Sequence, residues 1–404
     1  MTVTETNVQP EVKAWLDENW NPERPVGKWW KMLADSGWGF PHYPVEWSGL
    51  GLSPNAESVV AAELEAKGAF GPPWGVATMM VGPLLLELGT KEQRERWLAG
   101  IVDGTDIWCQ LFSEPEAGSD LAGLKTTAVR DGDQWIINGQ KVWTSGAADA
   151  KRAILVARTD PDAAKHHGLS FFIIEMDQPG VEVRPLVQMT GESEFNEIFL
   201  TNAVVPVENL IGEINKGWGV TLRLLSYERN SLDPEGEAGL QNKFDLSTPV
   251  GLLASGEVDD GTQTMMPKGS EAWAMLLDMI HENGVDSDAT VRQDAMRFYS
   301  MLQIARFTSL RAAAAADAGH LPGPEVSLGK LASVRMMRKW RDLALRVLGP
   351  NGQIIGADAP LAGRVAQIAL SVQGMSIAGG TDEIQHNIVA ERVLGLPREP
   401  RPSN

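Results

Sequence analysis

Cysteine is almost absent from this 404-residue sequence, which contains only Cys109. A single cysteine cannot form a disulfide within the chain, and no run of Cys or His residues has the spacing of a metal site. This composition is typical of a reducing cytoplasm. We therefore expect Cys109 to be a small, buried apolar residue without a chemical role.

Cationic residues and long apolar runs are also scarce. The chain has 35 Lys and Arg against 53 Asp and Glu, a net charge of −18, which disfavours nucleic acid and anionic membranes as partners. No apolar run approaches the roughly 18 residues of a membrane-spanning helix, and the polar start lacks the features of a signal peptide. Phosphate-loop, nucleophile-elbow and dinucleotide-binding motifs are missing too. We expect a soluble, cytoplasmic protein.

What the sequence does contain is a hydrophobic period that changes twice. Residues 10–104 have helical spacing, and eight of the fourteen Trp residues lie before residue 100, which favours a tryptophan-rich core over a ligand site. Residues 106–213 contain short apolar segments of strand length, separated by turn residues. Helical spacing then returns from Gly217 to about Gly395.

These changes predict an α+β multidomain protein. We expect an N-terminal helical domain over residues 1–105, a middle β-barrel or β-sandwich domain over 106–214 and a C-terminal four-helix-bundle domain over 215–404. Residues 233–270 are rich in Gly, Pro and acidic side chains. A loop of that length is unusual inside a compact domain, so we interpret it as an insertion or a lid. The apolar periodicity predicts long helices over 296–316, 325–348 and 363–375.

Two short segments in the predicted β domain have the composition of a ligand-binding loop. Residues 113–120 combine Pro and Gly with two hydroxyls, so irregular backbone there leaves N–H groups free for a heteroaromatic edge or a phosphate oxygen. Residues 138–146 begin with Asn-Gly, a dipeptide typical of turns, and continue to Trp143, Thr144 and Ser145. An indole can pack against a planar ring of a ligand while neighbouring hydroxyls donate hydrogen bonds to that ring. Taken singly, each segment is also compatible with an ordinary surface turn or hairpin.

Together, the two segments and the order of helices, β domain and helix bundle resemble the acyl-CoA dehydrogenase family. This resemblance implies an FAD cofactor, an acyl-CoA substrate and an electron-transfer flavoprotein as electron acceptor. It assigns Ser119 and Arg229 to the substrate, although Arg229 could equally form a surface ion pair. It assigns Thr381 and Glu383 to the flavin as well, with Glu383 in place of the usual Gln. Asp382 and Glu383 also lie in the first turn of a predicted helix, where helix capping is the alternative role. The implied flavin-binding residues are Gln110, Phe112, Ser113, Gly118, Trp143, Thr144, Ser145, Thr381 and Glu383.

The family's reaction needs a base for a weakly acidic α-proton, and a carboxylate with a pKa raised by desolvation can serve. One family position for this base corresponds here to Gly379, which has no side chain. The other lies on the first helix after the β domain and corresponds to Glu228. Val220 and Leu224 precede Glu228 by eight and four residues and share its helix face. We therefore predict Glu228 as the catalytic base; the alternative is a solvated helix acid.

Two further differences from the usual family sequence concern the assembly. Family members usually have an Arg that grips the flavin pyrophosphate of a neighbouring subunit, but residues 243–268 contain no Arg. In the segment from Arg346 to Gly352, this chain has Arg and Pro where family members usually have a segment that begins with Gln and contains Gly-Gly. We interpret both departures as signs of a heterotetramer with a homologous subunit, as in actinobacterial steroid-degrading enzymes, although a homo-oligomer stays possible. The small residues at 378–380 favour a bulky, branched or steroid-derived acyl group.

Two other functions are compatible with this reading of the chain. A flavin monooxygenase on the same fold would need no carboxylate at either base position, so Glu228 argues against it. A non-catalytic partner subunit would complete the site of another chain. The glycine at position 379 favours this second alternative, whereas the intact flavin segments oppose it.

Overall fold

The computed structural model describes residues 3–231, 245–258, 269–317, 323, 326–356 and 358–398. Among these residues, two compact units can be distinguished. The first contains residues 3–188, 193–227 and 245–258. The second contains residues 189–192, 228–231 and the described residues from 269 onward. The order of helices, β-sheet and helices confirms the predicted α+β architecture.

The N-terminal helices enclose a core rich in tryptophan. They are α1 (Val8–Asn19), α2 (Val26–Ser36), α3 (Asn55–Lys67), α4 (Gly82–Leu88) and α5 (Lys91–Val102), and a π-helical turn, Ala77–Val81, precedes α4. Helix α5 begins where Thr90 and Gln93 form a capping box. Trp29 and Trp30 are buried, and their indole N–H groups donate to the carbonyls of Phe70 and Gly71 at 2.7 and 2.9 Å. The prediction that these tryptophans form core is confirmed.

The middle region is an eight-stranded sheet. Its strands are β1 (Trp108–Leu111), β2 (Thr127–Asp131), β3 (Gln134–Ser145), β4 (Arg152–Arg158), β5 (Leu169–Glu175), β6 (Val181–Pro185), β7 (Phe195–Pro206) and β8 (Leu210–Ile211). The order is β6-β7-β3-β2-β4-β5-β8, with β1 parallel to β4. Along β4, Ile154 and Val156 enter one apolar core while Ala153 and Leu155 enter another. Because side chains alternate along a strand, β4 is buried on both faces.

The interpretation of Asn138-Gly139 as a turn is wrong. Both residues lie inside β3, where the pairing with β7 shifts register between Ile137 and Gly139. A Cβ at Gly139 would lie 2.3 Å from Oγ1 of Thr126, so glycine is needed there because the neighbouring backbone approaches closely. Strand pairing on both sides of β3 overrides the local turn preference of the dipeptide.

Part of the predicted insertion is docked on the N-terminal helices. Helix α6 (Gly217–Ser231) is followed by described residues 245–258, which contain the short helix α7 (Val250–Ala254). The N–H of Val26 donates to the carbonyl of Thr248 at 2.9 Å, and the N–H of Val250 donates to the carbonyl of Arg24 at 2.8 Å. Val250 and Leu253 are buried in the core formed by α1, α2 and α3. This part is therefore anchored rather than a free loop; residues 232–244 and 259–268 lie outside the described residues.

The C-terminal helices share a second core. They are α8 (Gly269–Glu282), α9 (Ala289–Asp317), α10 (Val326–Leu348), α11 (Arg364–Met375) and α12 (Asp382–Ile388). Helices α8 to α11 all contribute to one apolar cluster, in which the indole N–H of Trp340 donates to the carbonyl of Ala272 at 2.9 Å. Helix α9 begins before the predicted residue 296 because Asp288 accepts the N–H groups of Thr290 and Val291. Helix α8 was not predicted. No described helix is long and apolar enough to cross a membrane.

The docked segment gives a stability prediction. Leu253→Ala should lower the free energy of unfolding by about 2–4 kcal/mol, because a buried Leu leaves a cavity between the segment and helices α1 to α3. Urea unfolding followed by circular dichroism measures this change. Val45→Ala is the matched control, since Val45 is exposed and its truncation should change stability by less than about 0.5 kcal/mol. An effect of Leu253→Ala no larger than that of the control would contradict the packing.

Candidate active site

The first predicted segment lies beside the second. Gln110 lies on β1, and the buried ring of Phe112 packs edge-on against Phe171 at a centroid distance of 5.9 Å. The carbonyl of Ser113 accepts the N–H of Val142, on β3, at 2.9 Å. The hydroxyl of Ser113 forms no hydrogen bond to the described part of the protein, so it can bind a ligand.

The turn that follows Ser113 is exposed to solvent at Pro115 and Glu116. Glu114 and Ala117 exchange two backbone hydrogen bonds, of 3.0 and 3.1 Å, and Gly118 and Ser119 follow on the surface. A Cβ at Gly118 would meet no atom within 4 Å. The space around Gly118 and Ser119 is therefore available to a ligand, as the prediction for both residues requires.

The second segment ends β3 with an irregularity at Trp143. The indole of Trp143 is 61% exposed, lies edge-on to Phe195 at 6.0 Å and belongs to a residue with φ of +62°. A left-handed conformation is strained for a bulky residue, and such strain is often found at functional sites. The pairing of β3 with β7 shifts register between Lys141 and Thr144, which turns this side chain outward.

Thr144 and Ser145 occupy different environments. Thr144 is buried, its hydroxyl donates to the carbonyl of Gln110 at 3.4 Å and its carbonyl accepts the side-chain amide of Asn196 at 3.1 Å. Ser145 is half-buried, and in the described chain its hydroxyl has no hydrogen-bond partner. Thr144 therefore fixes β3 against β1, whereas the Ser145 hydroxyl is free to donate to a ligand.

An ion pair that the sequence reasoning missed lies beneath both segments. The ammonium group of Lys141 is buried and contacts Oε1 of Glu114 at 2.9 Å. Burial would raise the pKa of Glu114, but the charge of Lys141 and hydrogen bonds from Lys125 and Thr126 outweigh it and hold this pKa below its usual value. Burial lowers the pKa of Lys141 to about 8, against the opposing effect of Glu114. Both groups are therefore charged at neutral pH.

In the second unit, the two alternative base positions meet. Glu228 is half-buried near the end of α6, and its Oε1 lies 4.0 Å from the point where a Cβ at Gly379 would be. Gly379 has φ of +62°, a conformation that favours glycine. Val220 and Leu224, on the same helix face, are buried, as predicted. Arg229 continues the helix, but its side chain lies outside the described residues.

The loop around Gly379 is held by side chains that were not predicted as functional. The amide of Gln385 donates to the carbonyl of Gly379 at 2.9 Å, and the ammonium of Lys330 donates to the carbonyl of Gly380 at 2.8 Å. Lys330 also contacts Asp382 at 3.2 Å. The side chains of Gln385 and Lys330 therefore fix the loop backbone that faces Glu228. A sequence signal for Lys330 was not evident, because a lysine on a long helix is usually solvated.

Thr381 and Glu383 lie at the start of α12. The hydroxyl of Thr381 accepts the N–H of Ile384 at 3.2 Å, which is the geometry of a helix N-cap. Glu383 is exposed in the first turn, where hydrogen bonds from its own backbone N–H and from Thr381 keep its pKa low. The structure thus shows the capping role for Thr381, and the flavin contacts of both residues stay predictions.

Arg346 is engaged in an ion-pair cluster. Its guanidinium contacts buried Asp294, which Lys339 and Arg297 also contact at 2.9 and 3.1 Å. The hydrogen bond from Lys339 is the main reason that the pKa of Asp294 lies below its usual value. At this position the chain therefore neutralises its own buried acid. Among the described residues, no group of three or more His, Cys, Asp or Glu side chains could hold a metal ion.

The Glu114–Lys141 pair predicts a pH-dependent stability. Glu114→Gln should lower the free energy of unfolding by about 3–5 kcal/mol near neutral pH, because Lys141 is left buried without its counter-charge. The folded-state pKa of Glu114 lies below its ordinary value of 4.5. Its contribution is therefore complete above that value and is lost as the pH falls through the folded-state pKa.

Urea unfolding of both chains across the acid range measures this difference in stability. Below about pH 5 the gap between wild type and Glu114→Gln should narrow, because Glu114 becomes protonated in the wild type. Towards alkaline pH the gap should also narrow, because loss of the carboxylate lowers the pKa of Lys141 further and the variant buries a neutral amine. A gap that widened as the pH fell below about 5 would contradict the assignment.

Three family models match: "Acyl-CoA dehydrogenase, N-terminal domain" over residues 2–105, "Acyl-CoA dehydrogenase, middle domain" over 109–203 and "Acyl-CoA dehydrogenase, C-terminal domain" over 283–394. Acyl-CoA dehydrogenase FadE34 of Mycobacterium tuberculosis is 35% identical over 97% of this chain. The match covers 49% of FadE34, so the chain spans about half the length of that relative.

Two solved structures are similar over nearly the whole chain. The Tcur3481-Tcur3483 steroid ACAD has a TM-score of 0.73 and 29% identity, and the match covers 98% of each chain. The ChsE4-ChsE5 complex from Mycobacterium tuberculosis has a TM-score of 0.70 and 25% identity, covering 99% of this chain and 100% of that chain. With its helical, β-sheet and helical regions each matched in order, this chain belongs to the acyl-CoA dehydrogenase family.

Proposed function

We propose that this chain is an FAD-dependent acyl-CoA dehydrogenase in which Glu228 removes the α-proton of the thioester. The observation that supports this proposal most strongly is the distance of 4.0 Å between Oε1 of Glu228 and the missing Cβ of Gly379. The resemblance to the family implies a base at one of these two positions. Their side-chain positions lie close together in the folded chain, which supports a carboxylate from α6 in place of the side chain that Gly379 lacks.

The surroundings of Glu228 suit a base. A carboxylate that is partly withdrawn from water binds a proton more readily than an exposed one, which is required to abstract a weakly acidic α-proton. Glu228 is half-buried and follows two buried apolar residues on the same face of its helix. The backbone opposite it is held by Gln385 and Lys330, so the Gly379 loop is ordered before substrate binds.

The first unit has a surface that fits a flavin. The exposed indole of Trp143 and the hydroxyls of Ser113 and Ser145, which lack protein partners in the described chain, offer a planar wall and two polar contacts. FAD, when bound, supplies the acceptor for the β-hydrogen as hydride. Gln110, Phe112, Gly118 and Thr144 would shape this site from the same two segments. Ser119 and Arg229 are proposed substrate contacts, and Thr381 and Glu383 are proposed contacts near the flavin.

The proposed substrate is a bulky, branched or steroid-derived acyl-CoA. Residues 378–380 are Ala-Gly-Gly, so the loop opposite Glu228 leaves room for a large acyl group. Similarity to a steroid ACAD over 98% of the chain supports the same class. The monooxygenase alternative is not favoured by any observed group, since a carboxylate at the base position has no role in it.

The proposed assembly is a heteromer with a homologous subunit, and an electron-transfer flavoprotein is the proposed electron acceptor. Arg346, at a position that serves a neighbouring flavin in the family, is instead paired with Asp294. The structurally similar ChsE4-ChsE5 is a complex of two differently named proteins. In this proposal, the second subunit supplies the pyrophosphate contact that this chain lacks.

The base assignment predicts the effect of Glu228→Gln. Turnover of the acyl-CoA should fall by about 10²–10⁴-fold, because an amide cannot accept the α-proton. The measurement is flavin bleaching with straight, branched and steroid thioesters, without NADH. Glu282→Gln changes an exposed acid of α8 and should leave the rate within about twofold.

The convergence of the two positions allows a relocation test. Glu228→Ala/Gly379→Glu should be at least about tenfold more active than Glu228→Ala, because it restores a carboxylate from the opposite side. Full recovery is not expected, because a side chain on the left-handed backbone at Gly379 costs about 1–2 kcal/mol. Unchanged turnover in Glu228→Gln would instead assign this chain the role of a non-catalytic subunit.

The assembly proposal predicts the behaviour of the chain when it is expressed alone. It should be insoluble or poor in flavin, and co-expression with a homologous neighbouring gene product should give a yellow complex that co-purifies. Absorbance of the flavin and the mass of the complex measure both results. A homotetramer of this chain alone with a full complement of flavin would overturn the proposal.

A further inference from the structure

A buried ion pair connects the two segments that hold the flavin in the proposed function. The side chain of Lys141, on β3, is 0% exposed and that of Glu114 is 7% exposed. The ammonium donates to Oε1 of Glu114 at 2.9 Å, to the carbonyl of Phe112 at 3.0 Å and to the carbonyl of Val156 at 2.9 Å. These three bonds use every proton of the ammonium, so Lys141 cannot act by donating to a ligand.

The carboxylate of Glu114 closes the loop between β1 and β2. Its Oε2 accepts the N–H of Lys125 at 2.6 Å, and its Oε1 accepts the N–H of Thr126 at 2.9 Å. A residue at the start of the loop therefore holds the two residues at its end. Between these points, residues 115–124 include Gly118 and Ser119, and most of them are at least partly exposed.

We propose that Glu114 and Lys141 are positioning residues that order loop 115–124 against β3 before flavin binds. The proposal rests on the flavin-binding role of the two segments given above. An exposed loop with Pro and Gly loses conformational entropy when it binds a ligand, and ordering it in advance increases affinity. Because Lys141 also binds the carbonyl of Phe112, the same pair fixes the first segment to β3, the strand that contains Trp143.

A double variant separates positioning from stability. Replacing both partners of a buried ion pair with apolar residues often preserves stability, whereas removing one partner does not. Glu114→Leu/Lys141→Met in the full chain, in the assembly in which it purifies, should therefore be destabilised less than Glu114→Leu alone, and its melting temperature shows whether it folds. It would still lack the carboxylate that holds Lys125 and Thr126.

The measurements are hydrogen exchange of the flavin-free protein and FAD affinity from flavin fluorescence. In the double variant, the amides of Lys125 and Thr126 should exchange at least about tenfold faster, and the dissociation constant for FAD should rise at least about tenfold. Glu116→Gln is the matched control in the same loop. It breaks an ion pair with Lys125 whose side chains are 73% and 76% exposed, and it should change both quantities by less than about twofold.

The proposal would be overturned if a folded double variant had the same amide exchange rates and the same FAD affinity as the wild type. If the double variant does not fold, the flavin-free wild type decides. Its Lys125 and Thr126 amides should be protected like those of β3, and exchange at the rate of an exposed loop would overturn the proposal. Failure of the dehydrogenase assignment is a separate result, namely FAD binding without oxidation of any thioester.

Discussion

The buried ammonium of Lys141 is the constraint on which the first unit depends most. It is enclosed by the sheet, and its three hydrogen bonds end on β4, on the chain after β1 and on Glu114. An unpaired charge there would be very costly, so the arrangement of these three acceptors is effectively obligatory. The outward-facing Trp143 and the exposed chain at Gly118 lie on the strand and the loop that these hydrogen bonds hold together.

In the second unit, the proposed site is held by different contacts. Its polar loop is fixed through backbone carbonyls, with Gln385 bound to Gly379 and Lys330 bound to Gly380. Both glycines have positive φ, so the loop makes a turn that other residues adopt only with strain. The absence of a side chain at Gly379 leaves room beside the Glu228 carboxylate. A rigid loop without side chains and a carboxylate supplied from another helix together form the proposed base site.

Local patterns were sufficient for much of the fold. The tryptophan core and the change from helical to strand period were both predicted from the sequence and are observed. These features depend on residues that are close in the chain. Asn138-Gly139 shows the limit of this reasoning, because its turn preference is overridden by pairing with strands that come from distant parts of the sequence.

The site was predictable only in part. The family resemblance gave Glu228 and Gly379 as alternative positions, but their proximity is a tertiary contact that no local pattern encodes. Lys141 was missed because most lysines are solvated, and nothing in the sequence distinguishes one that is enclosed. The docking of residues 245–258 was missed for a similar reason, since a stretch rich in Gly, Pro and acid resembles a solvated loop.

That docked stretch has a consequence for how the protein is made. Val250 and Leu253 complete a core whose other members belong, apart from Trp38, to helices α1, α2 and α3. During synthesis, those helices leave the ribosome long before their missing partners, and the whole β-sheet is translated in the interval. The part of the apolar surface of α1, α2 and α3 that Val250 and Leu253 cover therefore cannot be buried by them until residues 250–253 have been synthesised.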